Sequence, residues 1–333
     1  MKGSKYILIF LLLSACFEPD EILPKSKIQT TEISLNTTTN QAAYLCLSEL
    51  SRSYDSTGSN WHLRFENDAN NWGIFLNTLS RVATYNTKNT NFDSITEYYN
   101  LSQVDWKFDI STSEGLTPAI GEWGDFSFDN PKSFKDIYLI SWPGDLSRLV
   151  YKFQLLDAQN GSYHFRYATL DGSLDKTIWL PKDGQYSFGY FSFKSNEIAT
   201  EVEPKKDRWD ICFTFLSDSL AKHQGIPHLP TLEADIGLYQ AVLLNERLNQ
   251  AAIDTVMSLE DTDFFYAKNL PYLEQKEIYD LFYTWDDDLK IIEINPKLIV
   301  YLTDGSRYYA IRATNFVQSP DGTFTTELNV KQL

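Results

Sequence analysis

Apolar and polar positions alternate along much of the chain, and this alternation predicts β-strands. One pair of strands, Tyr44–Leu47 and Trp61–Phe65, has a counterpart in the second half at Tyr190–Phe193 and Trp209–Phe213. A period of two places the Trp, Leu or Ile, and Phe of each Trp strand on one face of a half-buried strand. The two pairs occur in the same order, so we interpret them as parts of an internal repeat.

Further strands extend the repeat toward the end of each half. Gly73–Phe75 matches Gly237–Tyr239, and a later pair of strands in each half leads to a turn. The first-half pair is Ile137–Leu139 and Tyr151–Phe153, which precedes Asn160-Gly161; the second-half pair is Val300–Leu302 and Tyr309–Ile311, which precedes Asp321-Gly322. Asn-Gly and Asp-Gly between alternating segments indicate hairpins, because both residue types accept positive φ.

These patterns favour an all-β fold divided into two related domains. Aromatic residues make up 15% of the chain, which is typical of strands. Leu180–Gly184 interrupts the alternation and is typical of a linker. We therefore predict a first domain over residues 42–178 and a second over residues 183–333. Helical content is expected to be small, with helical turns favoured within residues 243–257 and around residues 271–283.

The N-terminal segment has the pattern of an export signal. Lys2 and Lys5 precede the apolar run Tyr6–Leu13, and Leu13-Ser14-Ala15 precedes Cys16. This run is too short to span a bilayer. The segment resembles a bacterial lipoprotein signal, which implies removal of residues 1–15 and acylation of Cys16 by fatty acids such as palmitate. Two or three acyl chains would anchor the protein stably. The alternative is an ordinary cleaved signal with an incidental cysteine.

Residues 16–41 are predicted to form a flexible tether, because they are rich in polar residues and have little apolar periodicity. Glu18, Asp20 and Glu21 follow Cys16 closely. This cluster resembles the acidic surface-export tag of lipoproteins in the Bacteroides lineage. That resemblance implies lipid anchoring in the outer membrane with display on the cell surface. The alternative interpretation is a solvated acidic tether.

Composition and motifs narrow the function classes. A net charge of −16 repels phosphate backbones, so nucleic acid is an unfavourable partner. Cys46 and Cys212 are the cysteines besides Cys16, and they form either one bridge or two buried thiols. The sequence has no Gly-x-Ser-x-Gly, no His-Glu-x-x-His and no phosphate-binding glycine loop, which favours a non-enzymatic protein. Its acidic clusters lack the spacing of a calcium loop, so no metal site is predicted.

The second half carries a pattern similar to that of a known family. Trp209–Phe213 and the late hairpin Val300–Arg312 resemble the HmuY-like surface lipoproteins of the Bacteroides lineage. In the first half the resemblance is weaker, and His62 stands where Asp210 stands in the second. The resemblance implies two tandem copies of an all-β domain, capture of haem, and delivery of haem to a TonB-dependent outer-membrane receptor.

The candidate haem ligands are few. Haem iron takes axial His or Met side chains, and the expected mature chain has His62, His164, His223, His228 and Met257. His223 and His228 lie on a Gly/Pro-containing segment, so we predict that bound haem is held by one of them together with the other or Met257. The alternative is that both are solvated loop histidines, and His62 and His164 are expected on strand surfaces.

A surface adhesin or glycan-binding lipoprotein is the rival function. Exposed aromatic rings on tandem β domains can stack on sugar rings without any metal ligand. The candidates are Trp72, Trp106, Trp123, Trp142 and Trp179.

Overall fold

The protein is all-β, as its sequence predicts. The computed structural model describes residues 26–36, 42–54, 60–77, 80–112, 115–128, 130–142, 150–200, 202–219, 236–276, 278–286 and 291–333. Within these ranges the helices are α1 (Phe264–Lys268), α2 (Tyr279–Phe282) and the 3₁₀ turns Phe92–Ser94, Leu101–Gln103 and Lys206–Arg208. The predicted signal peptide and Cys16 lie outside the described residues.

The strands fall into two structural units. Three strands open the chain: β1 (Gln29–Asn36), β2 (Ala43–Cys46) and β3 (Ser51–Tyr54). The next strands are β4 (Leu63–Glu66), β5 (Ile74–Leu76), β6 (Ala83–Asn86), β7 (Ile110–Thr112), β8 (Gly115–Thr117), β9 (Gly124–Asp125), β10 (Lys132–Ser133), β11 (Ile137–Ser141), β12 (Val150–Gln159), β13 (Ser162–Thr169), β14 (Asp175–Pro181), β15 (Phe188–Ser192) and β16 (Glu197–Ala199). The last are β17 (Ile211–Ser219), β18 (Ile236–Leu244), β19 (Gln250–Asp254), β20 (Leu273–Glu274), β21 (Tyr283–Asp286), β22 (Ile291–Ile294), β23 (Ile299–Thr303), β24 (Tyr308–Gln318) and β25 (Thr323–Gln332).

The first unit, called here the inserted unit, is continuous in sequence and contains β4 to β16. Its two larger sheets run in the orders β14-β13-β12-β11-β6 and β16-β15-β4-β5, and β7 with β8 and β9 with β10 form two-stranded sheets. Side chains of both larger sheets share one apolar core, in which Phe65, Phe153, Phe165, Phe191 and Phe193 are fully buried. Packed sheets that each bury one face in this way form a β-sandwich.

The second unit, called the discontinuous unit, is built from both ends of the described chain. One sheet runs in the order β1-β25-β24-β23-β19-β20 and the other in the order β18-β17-β2-β3. Its core joins residues from before and after the inserted unit, among them Ile33, Leu45, Phe213 and Leu328. The inserted unit therefore interrupts the discontinuous unit between β3 and β17.

The two units have the same strand topology. The order β14-β13-β12-β11-β6 in one matches β1-β25-β24-β23-β19 in the other, and β16-β15-β4-β5 matches β3-β2-β17-β18. The segments that the sequence pairs as a repeat fall on matched strands: β2 with β15, β4 with β17, β5 with β18, β11 with β23 and β12 with β24. The predicted match of Gly73–Phe75 with Gly237–Tyr239 is out of register, because Ile74 pairs with Phe65 whereas Val242 pairs with the equivalent Phe213. The repeat is thus a structural repeat.

Strand pairing nevertheless differs from the predicted division at residues 178–183. The first three strands of the chain complete the unit made by the end of the chain, since β1 pairs with β25 and β2 pairs with β17. Likewise β14 and β15, which lie at or beyond the predicted boundary, pair with β13 and β4 of the first half. The two repeats have exchanged equivalent strands, so the ranges 42–178 and 183–333 do not match the two cores.

A tight turn fixes this exchange. Thr169 and Leu174 close a hairpin between β13 and β14, with the Thr169 N–H donating to the Leu174 carbonyl at 3.0 Å. Gly172 has a φ of +73°, which suits glycine. The signal was present as Asp171-Gly172, the same kind of dipeptide as Asn160-Gly161. Because this turn is short, β14 must pair beside β13 rather than begin a new domain.

The predicted tether also requires correction over its second half. Residues 29–36 are the edge strand β1, paired with β25 along its whole length. Ile33 and Leu35 alternate with exposed or half-buried neighbours and are each 1% exposed, because they enter the core of the discontinuous unit. The segment was rich in Thr and Ser, which are also accepted on the outer face of a strand.

The predicted turns are confirmed and one helical segment is not. Asn160 and Gly161 both have positive φ between β12 and β13, and Gly322 has a φ of +82° between β24 and β25. Residues 243–257 contain the end of β18 and all of β19 instead of a helical turn. The second predicted helical region, around residues 271–283, does contain α2.

Candidate functional site

A cleft lies where the two units meet, and matching aromatic pairs line it. Tyr44 and Trp209 of the discontinuous unit contact edge to face with ring centroids 5.2 Å apart. Trp61 and Tyr190 of the inserted unit do the same at 4.9 Å. All four side chains line one cavity of about 80 Å³. Equivalent residues of the repeat thus face each other across the junction.

These tryptophans lie on the opposite face from that predicted. Leu63 and Phe65 enter the core of the inserted unit, whereas Trp61 packs with Tyr190 in a separate cluster. The discontinuous unit repeats the arrangement: Trp209 packs with Tyr44 and Cys212, away from the core residues Ile211 and Phe213. Both tryptophans precede the first paired residue of their strand, so the period-two rule did not apply to them.

His62 and Asp210, which follow the two tryptophans, perform the same structural task. The Phe193 N–H donates to His62 Nδ1 at 3.1 Å, and the Leu47 N–H donates to Asp210 Oδ2 at 2.8 Å. His62 is 1% exposed, and its ring centroid lies 3.8 Å from that of Trp142 with the ring planes tilted by 46°. Burial, followed by repulsion from Lys194, lowers its pKa from 6.5 to about 3. His62 is therefore a neutral acceptor inside the protein, not the strand-surface residue predicted.

Two asparagines hold the paired tryptophan segments in equivalent positions. Asn77 Nδ2 donates to the Trp61 carbonyl and Asn245 Nδ2 donates to the Trp209 carbonyl, each at 2.8 Å. The Asn77 and Asn245 N–H groups donate to the carbonyls of His62 and Asp210. The backbone around each tryptophan is consequently fixed by buried hydrogen bonds, which rigidifies the cleft walls.

Ionisable side chains break the symmetry of the cleft. Arg64 of β4 lies over the Phe188 ring at 4.5 Å and the Phe75 ring at 5.2 Å. Glu203 is 6% exposed and accepts from the Phe188 N–H at 2.8 Å and from the Tyr190 hydroxyl at 3.1 Å. Both Arg64 and Glu203 line the cavity. The sequence analysis did not identify Arg64 as a candidate, because its alternation with Leu63 and Phe65 is also that of an ordinary solvent-facing strand residue.

Buried carboxyl groups near Arg64 have raised pKa values. Burial raises the pKa of Glu203 to about 7 despite its hydrogen bonds and the charge of Arg64. Burial likewise raises the pKa of Asp109 to about 6, although the N–H groups of Ala119 and Leu76 donate to it. Perturbed groups beside a cavity are typical of binding sites, but structural networks also produce them.

Met257 is the one predicted haem ligand that lies among the described residues. His223 and His228 lie in residues 220–235, outside those residues. Met257 is half-buried after β19, its N–H donates to Asp254 Oδ2 at 2.8 Å, and it is not among the residues that line the cleft. His164 stacks on Trp179 with ring centroids 3.8 Å apart and planes within 5°.

Of the predicted glycan-stacking tryptophans, Trp179 alone is largely exposed. Its exposed fraction is 47%, whereas Trp72 and Trp123 are buried. Trp142 and Trp106 are half-buried. Trp179 lies on β14 at the edge of its sheet, directly opposite His164 on β13. The stacked pair, with His164 half-buried and Trp179 exposed, lies on the outer face of the inserted unit and is called here the Trp179–His164 platform.

Cys46 and Cys212 are buried, and no disulfide joins them. They lie on the neighbouring strands β2 and β17, and Cys212 is on the opposite face of its strand from Ile211. The alternative of a disulfide between them is thereby excluded.

In comparisons with known proteins, no protein-family model, curated protein or solved structure matches the chain. In the part of the chain that is described, no helix has the length and apolarity needed to cross a membrane. The same part contains no group of three or more His, Cys, Asp or Glu side chains placed to hold a metal ion.

Proposed function

We propose that the protein is a non-enzymatic, ligand-binding lipoprotein, anchored through Cys16 to the outer membrane and displayed on the cell surface. Haem is the leading ligand, and a TonB-dependent outer-membrane receptor is the leading partner. The sequence resemblance to HmuY-like proteins suggests this function, and the repeated all-β architecture is consistent with it.

The observation that carries the haem proposal is an elongated hairpin in the discontinuous unit. β17 and β18 each have nine residues, whereas the equivalent β4 and β5 have four and three. The connection between β17 and β18 carries His223 and His228. The longer strands thus belong to the copy whose connection carries the two histidines. This is expected if the connection binds a ligand, because loops on a rigid scaffold commonly carry function.

A haemin titration tests the proposal. Purified residues 17–333 should shift the Soret band of haemin to a ligated form, with saturation at one equivalent. His223→Ala or His228→Ala should weaken binding by at least about tenfold, because loss of one axial ligand removes a metal bond.

His164→Ala is the matched control, since His164 belongs to the Trp179 platform and not to the proposed ligand set. It should leave the Soret titration unchanged. A flat titration at micromolar haemin would refute haem binding, and equal binding by the wild type and both loop variants would refute the ligand assignment.

The glycan-binding alternative is favoured by the Trp179–His164 platform. A planar exposed aromatic surface suits stacking against a sugar ring. In that case Trp179→Ala should abolish retention of the protein on polysaccharide columns, while His223→Ala should not. Unchanged retention of Trp179→Ala would exclude this platform as the glycan site.

A further inference from the structure

The junction cleft has matched aromatic walls but an unmatched positive charge. Leu63 pairs with Phe191 and Ile211 pairs with Leu45, so Arg64 and Cys212 occupy equivalent positions one residue later. Both side chains line the cavity. If the two sheets only had to pack against each other, a small side chain such as the Cys212 thiol would be sufficient at both positions. The guanidinium on one side alone indicates a role in recognition.

The guanidinium of Arg64 has aromatic neighbours but no acceptor among the described residues. Its Nε is buried without a hydrogen-bond partner. Both oxygens of Glu203 already accept from other donors, the Phe188 N–H and the Tyr190 hydroxyl. A buried donor that lacks an acceptor costs about 1–3 kcal/mol, and more when it is charged.

Trp209 supplies a second donor at the same cavity. The side chain is 6% exposed and lines the cleft. Its Nε1–H is buried and has no partner in the described part of the chain. Two buried donors on one cavity, one of them on a cation, call for an acceptor with negative charge.

The cavity size limits that acceptor. Its volume is about 80 Å³. Since a cavity of about 150 Å³ holds benzene, a cavity of this size can hold a ligand with about two to four carbon atoms. A carboxylate offers two oxygens that can accept from two donors, and the aromatic walls suit a short alkyl chain.

We propose that the junction cleft binds a short-chain monocarboxylate of the acetate-to-butyrate class. Its carboxylate accepts from Arg64 and Trp209, and its alkyl chain lies among Tyr44, Tyr190 and Leu243. This site goes beyond the proposed function and shares no residue with the predicted haem ligands. An experiment can therefore refute the carboxylate site without refuting haem binding, and the reverse also holds.

Calorimetry with sodium propionate tests the site, using residues 17–333 in a buffer free of carboxylates. Propionate should bind saturably at one site per chain, and the neutral isostere propionamide should bind at least about tenfold more weakly. Arg64→Cys, which installs the residue of the equivalent position, should weaken propionate binding about 10- to 150-fold, as expected for a hydrogen bond to a charged group. Trp209→Phe should weaken it severalfold.

Arg312→Met, at an arginine that does not line the cleft, is the matched control and should bind as the wild type does. If Arg64→Cys misfolds by circular dichroism, Arg64→Met, which keeps the apolar stem, replaces it with the same expected loss. The proposal is overturned if propionate shows no saturable binding up to about 10 mM. Retained binding in both the Arg64 and Trp209 variants would overturn it as well.

Discussion

At the scale of single residues, the two copies of the repeat solve one problem with different chemistry. The residue that directly follows β15 and the residue that directly follows β2 each have a buried N–H that needs an acceptor. His62 provides a neutral ring nitrogen to Phe193, and Asp210 provides a carboxylate to Leu47. An unsatisfied buried N–H costs about 1–3 kcal/mol, which explains why both positions carry an acceptor.

The role of His62 can be tested with an isostere. His62→Asn can place its Oδ1 near the former Nδ1, whereas His62→Ala leaves the Phe193 N–H without an acceptor. We expect His62→Ala to lower the free energy of unfolding by about 1–3 kcal/mol more than His62→Asn in urea denaturation. Asp210→Ala against Asp210→Asn is the parallel pair. Equal stability of His62→Ala and His62→Asn would contradict the proposed role.

Protonation of His62 should also destabilise the protein in acid. Its folded pKa of about 3 lies below the ordinary value of 6.5, so the unfolded state binds the proton first. This contribution is fully present above pH 6.5 and is lost as the pH falls toward 3, at up to about 1.4 kcal/mol per pH unit. Urea denaturation of the wild type and His62→Asn across this range should show a shallower loss for the variant.

Glu203 should act in the opposite direction. Its folded pKa of about 7 exceeds the ordinary 4.5, so the folded state holds the proton longer. Its contribution is present below pH 4.5 and is lost as the pH rises to 7, a change on the order of 3 kcal/mol. Glu203→Gln should remove this decline, because the amide cannot ionise. Parallel stability curves for the two proteins between pH 4.5 and 7.5 would show that Glu203 titrates normally.

At the scale of elements, β1 shows how a polar segment becomes structural. Its outer positions are Thr, Glu and Ser, which resemble a tether, while Ile33 and Leu35 fill the core of the discontinuous unit. Backbone pairing with β25 satisfies its N–H and carbonyl groups. Burial of the Ile33 and Leu35 side chains then holds the strand against the core of the discontinuous unit.

A single substitution distinguishes a strand from a tether. Ile33→Ala should lower the free energy of unfolding by about 2–5 kcal/mol, as for other buried large-to-small changes. Glu32→Ala, at the exposed neighbouring position, should change it by less than about 0.5 kcal/mol. Chemical denaturation measures both. No effect of Ile33→Ala would mean that residues 29–36 contribute nothing to the fold.

At the scale of the whole molecule, two units of equal topology are joined by exchanged strands. The inserted unit has a continuous sequence, both of its own sheets and its own core. The core of the discontinuous unit is made by segments that lie before and after the inserted unit in the sequence. The cleft with Arg64 and Glu203 exists only because the two four-stranded sheets meet.

This organisation predicts which fragments fold. Residues 60–203 should give a cooperative unfolding transition and a dispersed NMR spectrum, because they contain every strand of the inserted unit. Residues 42–178, the domain expected from the sequence, should not, since that fragment lacks β15 and β16 and contains β2 and β3 without their partners. The reverse outcome would contradict the exchange of strands.

Much of the local structure followed from the sequence. Alternation located the matched strands, and Asn160-Gly161 and Asp321-Gly322 marked turns that the structure contains. The candidate cleft was not predictable in the same way. Arg64 alternates with core residues like any solvated side chain, and only the packing of a second sheet over it removes the solvent.

The sequence by itself determined the all-β class and the positions of the matched strands, because side-chain alternation and turn residues act locally along the backbone. Which copy each strand joins was decided only by the tertiary structure. Equivalent strands carry similar inward side chains, so either sandwich could accept them. The short turn at Asp171-Gly172 fixes β14 beside β13. The equivalent edge position, beside β25 in the discontinuous unit, is then occupied by β1.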